Sequence, residues 1–249
     1  MVLENAATVL EGIAWCLAEY VKMPVGQRIV GTGLLLVFSL LAYNFVSKDA
    51  RTRARVLQAI VAVLSATSMA ISLTMGHSMP EMEFLFLWLP LAGWLSVAAL
   101  YLLNKQIQFA AFKPIAFPNK LRDKTLSLAL ELGVVGPIEV GVFDSGKIEV
   151  LSSAGSTKTI LVSLGALEAL SHKELEAVLF HELVHLKHDD SLYKMVCTAG
   201  LFTVFAPLAL AAKRISAAHQ ETYASSIARA AYPRHFNSAS RTFERFCES

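Results

Sequence analysis

Ser171-His-Lys-Glu-Leu-Glu-Ala-Val-Leu-Phe-His181-Glu-Leu-Val-His185-Leu-Lys-His-Asp-Asp190 is the stretch from which the rest of the chain can be read. Ser171 with Glu174 three residues on is the capping-box pattern that opens a helix. Leu175, Val178, Leu179, Leu183 and Leu186 then give that helix an apolar face. Within it lies His181-Glu182-Leu183-Val184-His185, a HExxH motif. Residues i and i+4 stack on one helix face, so the two imidazoles can meet one zinc ion. Glu182 falls beside the open coordination position, where it can act as a general base. The motif fixes only three positions and can arise by chance; its setting in a capped, one-sided helix is what gives it weight.

A tetrahedral catalytic site needs a third protein ligand. His188 follows His181 by seven residues, about 10 Å along an unbroken helix, and no glycine stands where the chain would have to bend back. Asp189 and Asp190 read as supporting or solvated carboxylates rather than ligands. The better candidate is Glu221, in Glu221-Thr-Tyr-Ala-Ser225 on a later helix.

The run Leu161-Val-Ser-Leu-Gly-Ala-Leu-Glu-Ala-Leu-Ser-His-Lys-Glu-Leu-Glu-Ala-Val-Leu-Phe-His-Glu-Leu-Val-His-Leu-Lys-His-Asp-Asp190 resembles the catalytic helix of the HtpX and CAAX prenyl protease superfamily of integral-membrane zinc metallopeptidases. The resemblance covers about residues 119–236. That family reads HExxHxxxxD, which puts its Asp on Asp190. It takes its third ligand from ExxAD, matched here by Glu221 and Ala224, with Ser225 where the pattern has Asp. The resemblance implies one Zn²⁺ per chain held by His181, His185 and Glu221, with Asp190 and Ser225 standing behind the ligating histidines and Glu182 as the catalytic base. It also implies an oxyanion-stabilising donor in the last stretch of the chain, where His219, Tyr223, Arg234 and His235 are chemically able. The BlaR/MecR antibiotic-sensor metallopeptidases share HExxHxxxxD and a Glu at nearly this separation. A signalling receptor is therefore an alternative to an HtpX-like quality-control protease, and an inactive scaffold is a third reading, prompted by Ser225.

Composition supports a membrane setting. The chain has 249 residues, 55% of them hydrophobic and only 17% charged, with mean hydropathy +0.51, outside the ordinary soluble range. A net charge of +2 argues against a nucleic-acid partner. Cys16, Cys197 and Cys247 are odd in number, far apart and without CxxC spacing, so small buried or lipid-adjacent residues are expected. The N-terminus lacks the basic region of a secretory signal, and no cleavage is expected. Residues 1–28 carry Glu4, Glu11 and Glu19 on one helical face and read as an amphipathic surface segment.

Three apolar, charge-free spans follow at about 29–46, 56–75 and 84–103. Lys48, Arg51, Arg53 and Arg55 follow the first span, and Lys105, Lys113, Lys120, Arg122 and Lys124 follow the third; the loop 76–83 has no Lys or Arg. The positive-inside rule then sets residues 104–249 in the cytoplasm of a multi-pass plasma-membrane protein. After a linker with Pro114 and Pro118, residues 119–132 pattern as a helix stopped by Gly133. Ile138-Val140-Val142, Ile148-Val150 and Ile160-Val162 alternate as three short strands. The 158–163 strand is the expected sheet edge, able to pair with an extended substrate.

A fourth apolar run, 195–212, contains Pro207. A full crossing would strand Glu221 on the far side from the histidines, so a re-entrant or non-crossing segment is expected. The fold class expected is thus an α-helical membrane protein with a small α+β gluzincin-like zinc metallopeptidase domain, acting on protein substrates beside the lipid bilayer.

Overall fold

The computed structural model describes residues 18–47, 49–75, 88–203 and 206–247. They fall into two units, one made of residues up to Val97 with Val196–Ser216, the other of Ala98–Met195 with Ala217–Ser249.

The first unit is helical. Pro24–Val46 (α1) packs on Ala50–Met75 (α2). Pro24 opens α1 at a position where its missing N–H costs nothing. The Asp49 carboxylate accepts from the Thr52 amide and hydroxyl at 2.8 and 2.7 Å, and this cap starts α2. At Gly33 a Cβ would lie 2.6 Å from Thr67 Oγ1, so only glycine lets the two helices approach this closely. α1, and Thr52–Ile71 within α2, are long and apolar enough to cross a membrane. The expected spans 29–46 and 56–75 lie inside these helices. Over its described part the third corresponds to Leu89–Leu102 (α3), whose 14 residues fall short of the ~20 needed to cross; residues 84–87 of that span, and 1–17 of the N-terminal segment, lie outside the described residues.

The apolar run 195–212 is broken. Asp190–Gly200 (α8) ends in a turn at 201–203, and Ala206–Ala231 (α9) then begins, with Pro207 in its first turn. Cys197 before the break and Ala209 and Ala212 after it pack on the same Val61 of α2, so the run doubles back on itself. A Cβ on Gly200 would meet Val61 at 2.2 Å and Ala209 at 3.0 Å, which explains why glycine sits at this corner. The Gln58 side chain donates to Ser216 Oγ, tying α2 to α9 inside this unit.

The second unit carries the sheet. Asn104–Phe112 (α4) ends at Lys113, which adopts a left-handed conformation (φ 45°). Asn119–Leu132 (α5) ends at Gly133 (φ 70°), as the sequence leads one to expect. Ile138–Phe143 (β1), Val150–Ser153 (β2) and Lys158–Ser163 (β3) form a sheet of order β1-β3-β2. β1 runs parallel to β3, with Val140 opposite Ile160; β2 runs antiparallel, with Ser152 opposite Ile160.

This order corrects the expected edge. β3 is hydrogen-bonded on both sides and has no backbone left for a substrate. Its near-continuous apolar burial, Ile160-Leu161-Val162, is the pattern of a central strand, and the alternation that marks 158–163 as a strand says nothing about its place in the sheet. The outer side of β1 is engaged at Val142 by Ile115 and Ala116. Among the described residues, the open edge is β2.

Leu164–Ala169 (α6), His172–Lys187 (α7) and Pro233–Cys247 (α10) complete the unit. One apolar core joins sheet and helices: Val140, Ile160 and Val162 meet Leu179, Leu183 and Leu186 of α7, with Ala224 and Ala228 of α9 and Phe236 and Ala239 of α10 closing the far side.

Candidate metal centre

The capping box read from the sequence is present. Ser171 Oγ accepts from the Glu174 amide, and the Glu174 carboxylate accepts from the Ser171 amide at 2.9 Å. The other end of α7 is held by Lys158, the first residue of β3. Its ammonium donates to the Leu186 carbonyl at 2.9 Å and lies 3.2 Å from the Asp189 carboxylate. A cation there complements the negative end of the helix dipole. Both ends of the motif helix are therefore fixed by side chains, and the motif sits in its last turns.

His181 and His185 lie one turn apart, with Nε2 atoms 3.2 Å from each other. Glu221 Oε2, from α9, is 3.4 Å from the first and 3.3 Å from the second. These are the edges of a small triangle. An ion held tetrahedrally at about 2.0–2.1 Å has ligand-to-ligand edges of about 3.3 Å. Two neutral-capable nitrogens and one carboxylate oxygen with this spacing fit a metal ion and leave one tetrahedral position open.

The two histidines are supported unequally. His185 Nδ1 lies 2.7 Å from Asp190 Oδ2, and both residues are buried. This contact requires the chain to reverse just after α7. Asp189 does so with φ 53°, a left-handed conformation that Asp tolerates better than most residues. The bend that the sequence appeared to lack for want of a glycine is thus made by Asp189, and it serves Asp190 rather than His188, whose ring packs against Tyr223. His181 has the Phe236 ring stacked on it at 5.5 Å, but its Nδ1 is buried without a protein partner. Ser225, one turn beyond Glu221, lines the same cleft and makes no bond to that nitrogen.

Glu182 accepts a hydrogen bond from the Ser152 hydroxyl of β2 at 2.5 Å. This aims its carboxylate into a cleft of about 270 Å³ whose walls include Val150, Val178, Phe236, Ala239 and Phe243.

Burial lowers the basicity of His185, but the hydrogen bonds its ring donates to Asp190 and Glu221 and the nearby charge of Glu182 outweigh it and raise its pKa to about 9. The same imidazoles, His181 first and then His185, hold the Glu221 carboxyl well below the usual carboxylate range against the opposing effect of burial. Opposite shifts on facing groups mark a site in which negative carboxylates wait for a positive charge, whether protons or a metal ion.

The structure brings together His181, Glu182, His185, Asp190 and Glu221, with Ser225 beside them. It does not bring the four expected donors of the last stretch into the cleft. Tyr223 faces His188. His235 lies in the field of Glu174 at the other end of α7. His219 and Arg234 are absent from the cleft walls. Sequence reasoning missed Ser152, Phe236 and Lys194, whose ammonium lies 3.6 Å from Glu221 Oε1. No local pattern flags Ser152 or Lys194; the strong apolar face of α10 would have flagged Phe236.

The geometry can be set beside known proteins. The model of peptidase family M48 matches residues 120–248, just over half of the chain. The chain is 33% identical over 94 residues to a protein named Protease HtpX homolog from Prosthecochloris aestuarii. That match covers 36% of this chain and 32% of the relative, so it spans about a third of the relative's length. No solved structure matches the chain. The matched region contains both histidines, Glu182, Asp190 and Glu221, and on that extent the chain belongs to peptidase family M48.

Proposed function

We propose that this chain is a membrane-embedded zinc endopeptidase that hydrolyses peptide bonds of membrane or unfolded proteins at the cytoplasmic face. The observation that carries the reading is the triangle of His181 Nε2, His185 Nε2 and Glu221 Oε2 with Glu182 beside it. Its edges suit Zn–N and Zn–O bonds, and the name of the matched relative, a protease, agrees with it.

Zinc held by His181, His185 and Glu221 would acidify a water molecule and polarise the scissile carbonyl. Glu182, aimed by Ser152, takes a proton from the attacking water and returns it to the departing amine nitrogen. Asp190 keeps His185 in the orientation and tautomer that present Nε2 to the ion. An extended substrate can add to β2, the open edge, which carries Ser152 and Val150 beside the cleft, and Val178, Phe236, Ala239 and Phe243 in the cleft wall suit a hydrophobic side chain.

The membrane assignment is supported by α1. Leu34, Leu35, Phe38, Tyr43, Phe45 and Val46 are all exposed on it, and such a surface needs lipid or another apolar cover. The doubled-back 195–212 run supports a non-crossing segment, which keeps Glu221 on the side of the histidines. The basic residues flanking the apolar spans support a cytoplasmic site in the plasma membrane.

The test compares full-length wild type with Glu182→Gln in detergent, for cleavage of an unfolded protein and of the chain itself. Wild type should cut, chelator should stop it, and the variant should bind zinc normally without turnover. If neither protein cuts although both hold zinc, the peptidase reading fails.

A further inference from the structure

α8 begins immediately after the motif helix, and its first turn carries two charges at i and i+4 spacing, Asp190 and Lys194, on one face. Asp190 holds His185 from behind at 2.7 Å. Lys194 approaches a different member of the triangle, lying 3.6 Å from Glu221 Oε1. The two oxygens of Glu221 are thereby divided: Oε2 faces both imidazoles, and Oε1 faces the ammonium.

We propose that Lys194 is a positioning residue that keeps Glu221 a one-oxygen ligand, so that the fourth coordination position stays open. The inference rests on the reading of Glu221 as the third ligand. Its physical basis is that the Glu221 side chain is half exposed and has three rotatable bonds. Among the described residues the charged groups set against Glu221 are the imidazoles at Oε2 and the Lys194 ammonium at Oε1, and a rotation that offered both oxygens to an ion would give up the contact with Lys194. A second oxygen would occupy the position that a catalytic site leaves for water. Lys194 opposes that rotation by attracting Oε1 away from the triangle. Its own charge also repels a bound cation, so both effects hold zinc affinity below what two oxygens would give. Positioning is the role proposed because the ammonium faces Oε1 while both imidazoles face Oε2.

One helix turn thus braces two ligands through groups matched to their charge. Asp190 serves the imidazole, and Lys194 serves the carboxylate.

The experiment uses the full-length protein in detergent as wild type, Lys194→Met, Lys194→Arg and Glu221→Ala. Zinc dissociation constants are measured by competition with a chromophoric chelator, and the visible absorption of the cobalt-substituted protein reports coordination number. Lys194→Met should lower the intensity of the cobalt band, as a four-coordinate ion becomes five-coordinate, and zinc should bind at least as tightly as in wild type, because an oxygen is gained and an ammonium removed. Lys194→Arg should restore the band, and the melting temperature of the metal-free protein should not move. A wild-type cobalt spectrum in Lys194→Met, or weaker zinc with an unchanged coordination number, overturns the proposal. Glu221→Ala separates the two failures. If it keeps tight zinc, the ligand assignment itself is wrong; if it loses zinc while Lys194→Met keeps the wild-type cobalt spectrum, only the role of Lys194 falls.

Discussion

Raising the pH should tighten zinc binding and at the same time loosen the metal-free fold, and both effects trace to His185. In the metal-free protein its pKa is raised to about 9, from an ordinary 6.5, by the Asp190 and Glu221 carboxylates acting against burial. A metal ion can bind only the neutral ring. At pH 7 the ring lies two units below its pKa, which costs about 2.7 kcal/mol at ~1.36 kcal/mol per unit. The apparent zinc affinity at pH 7 should therefore be ~100-fold below its plateau, rising about tenfold per unit and levelling near pH 9.

The stability effect has the opposite sign. The folded-state pKa lies above the unfolded value, so the protonated ring stabilises the metal-free protein fully below pH 6.5, and this contribution is lost as pH rises through 9. The shift of 9 − 6.5 = 2.5 units amounts to about 3 kcal/mol. Chelator competition between pH 6.5 and 9.5, corrected for protonation of the chelator, reads the first effect. Titration calorimetry at pH 7.5 in buffers of different ionisation enthalpy should count about one proton released per zinc. Melting of the metal-free protein over the same range reads the second. A plateau already reached near pH 6.5, with no proton released at pH 7.5, would refute the reasoning. Asp190→Asn should move the plateau to lower pH, because the neutral amide no longer favours the charged ring.

Two further outcomes follow from residues behind the site. Ser225→Asp should give the buried His181 Nδ1 an acceptor and tighten zinc by about tenfold; unchanged affinity in chelator competition would mean that position 225 does not reach that nitrogen. Leu183→Ala removes a fully buried side chain from the core under the motif and should cost about 2–5 kcal/mol in thermal unfolding of the metal-loaded protein, whereas a loss under 1 kcal/mol would show that the core collapses around the gap.

Local rules carried much of this structure. The capping box, the stop at Gly133 and the i, i+4 pairing of His181 with His185 depend only on neighbours in sequence, and each was legible there. Glu221 was legible because its motif is short and its chemistry restricted. Strand order was not, because Ile160-Leu161-Val162 records burial on two faces and says nothing about which backbone edges are paired. The reversal at Asp189 was hidden for a related reason: glycine is the usual sign of a left-handed residue, and Asp adopts that conformation without announcing it. Lys194 and Ser152 act only across elements, the first from α8 to α9 and the second from β2 to α7, so no spacing within one segment could reveal them.

The Ser152–Glu182 bond makes the hairpin between β2 and β3 a gauge for the reactive carboxylate. Side chains alternate along a strand, so a one-residue slip of β2 against β3 would exchange Ser152 for Leu151 or Ser153 and turn the intended hydroxyl to the opposite face. The register that sets Ser152 against Ile160 is fixed by the connection 154–157, where a Cβ on Gly155 would lie 2.6 Å from the Asn104 side chain. The length of a loop outside the cleft, and the tightness of its seat on α4, therefore decide which side chain greets Glu182. In this fold the aim of the proton acceptor is set by a turn that touches neither the metal ligands nor the cleft.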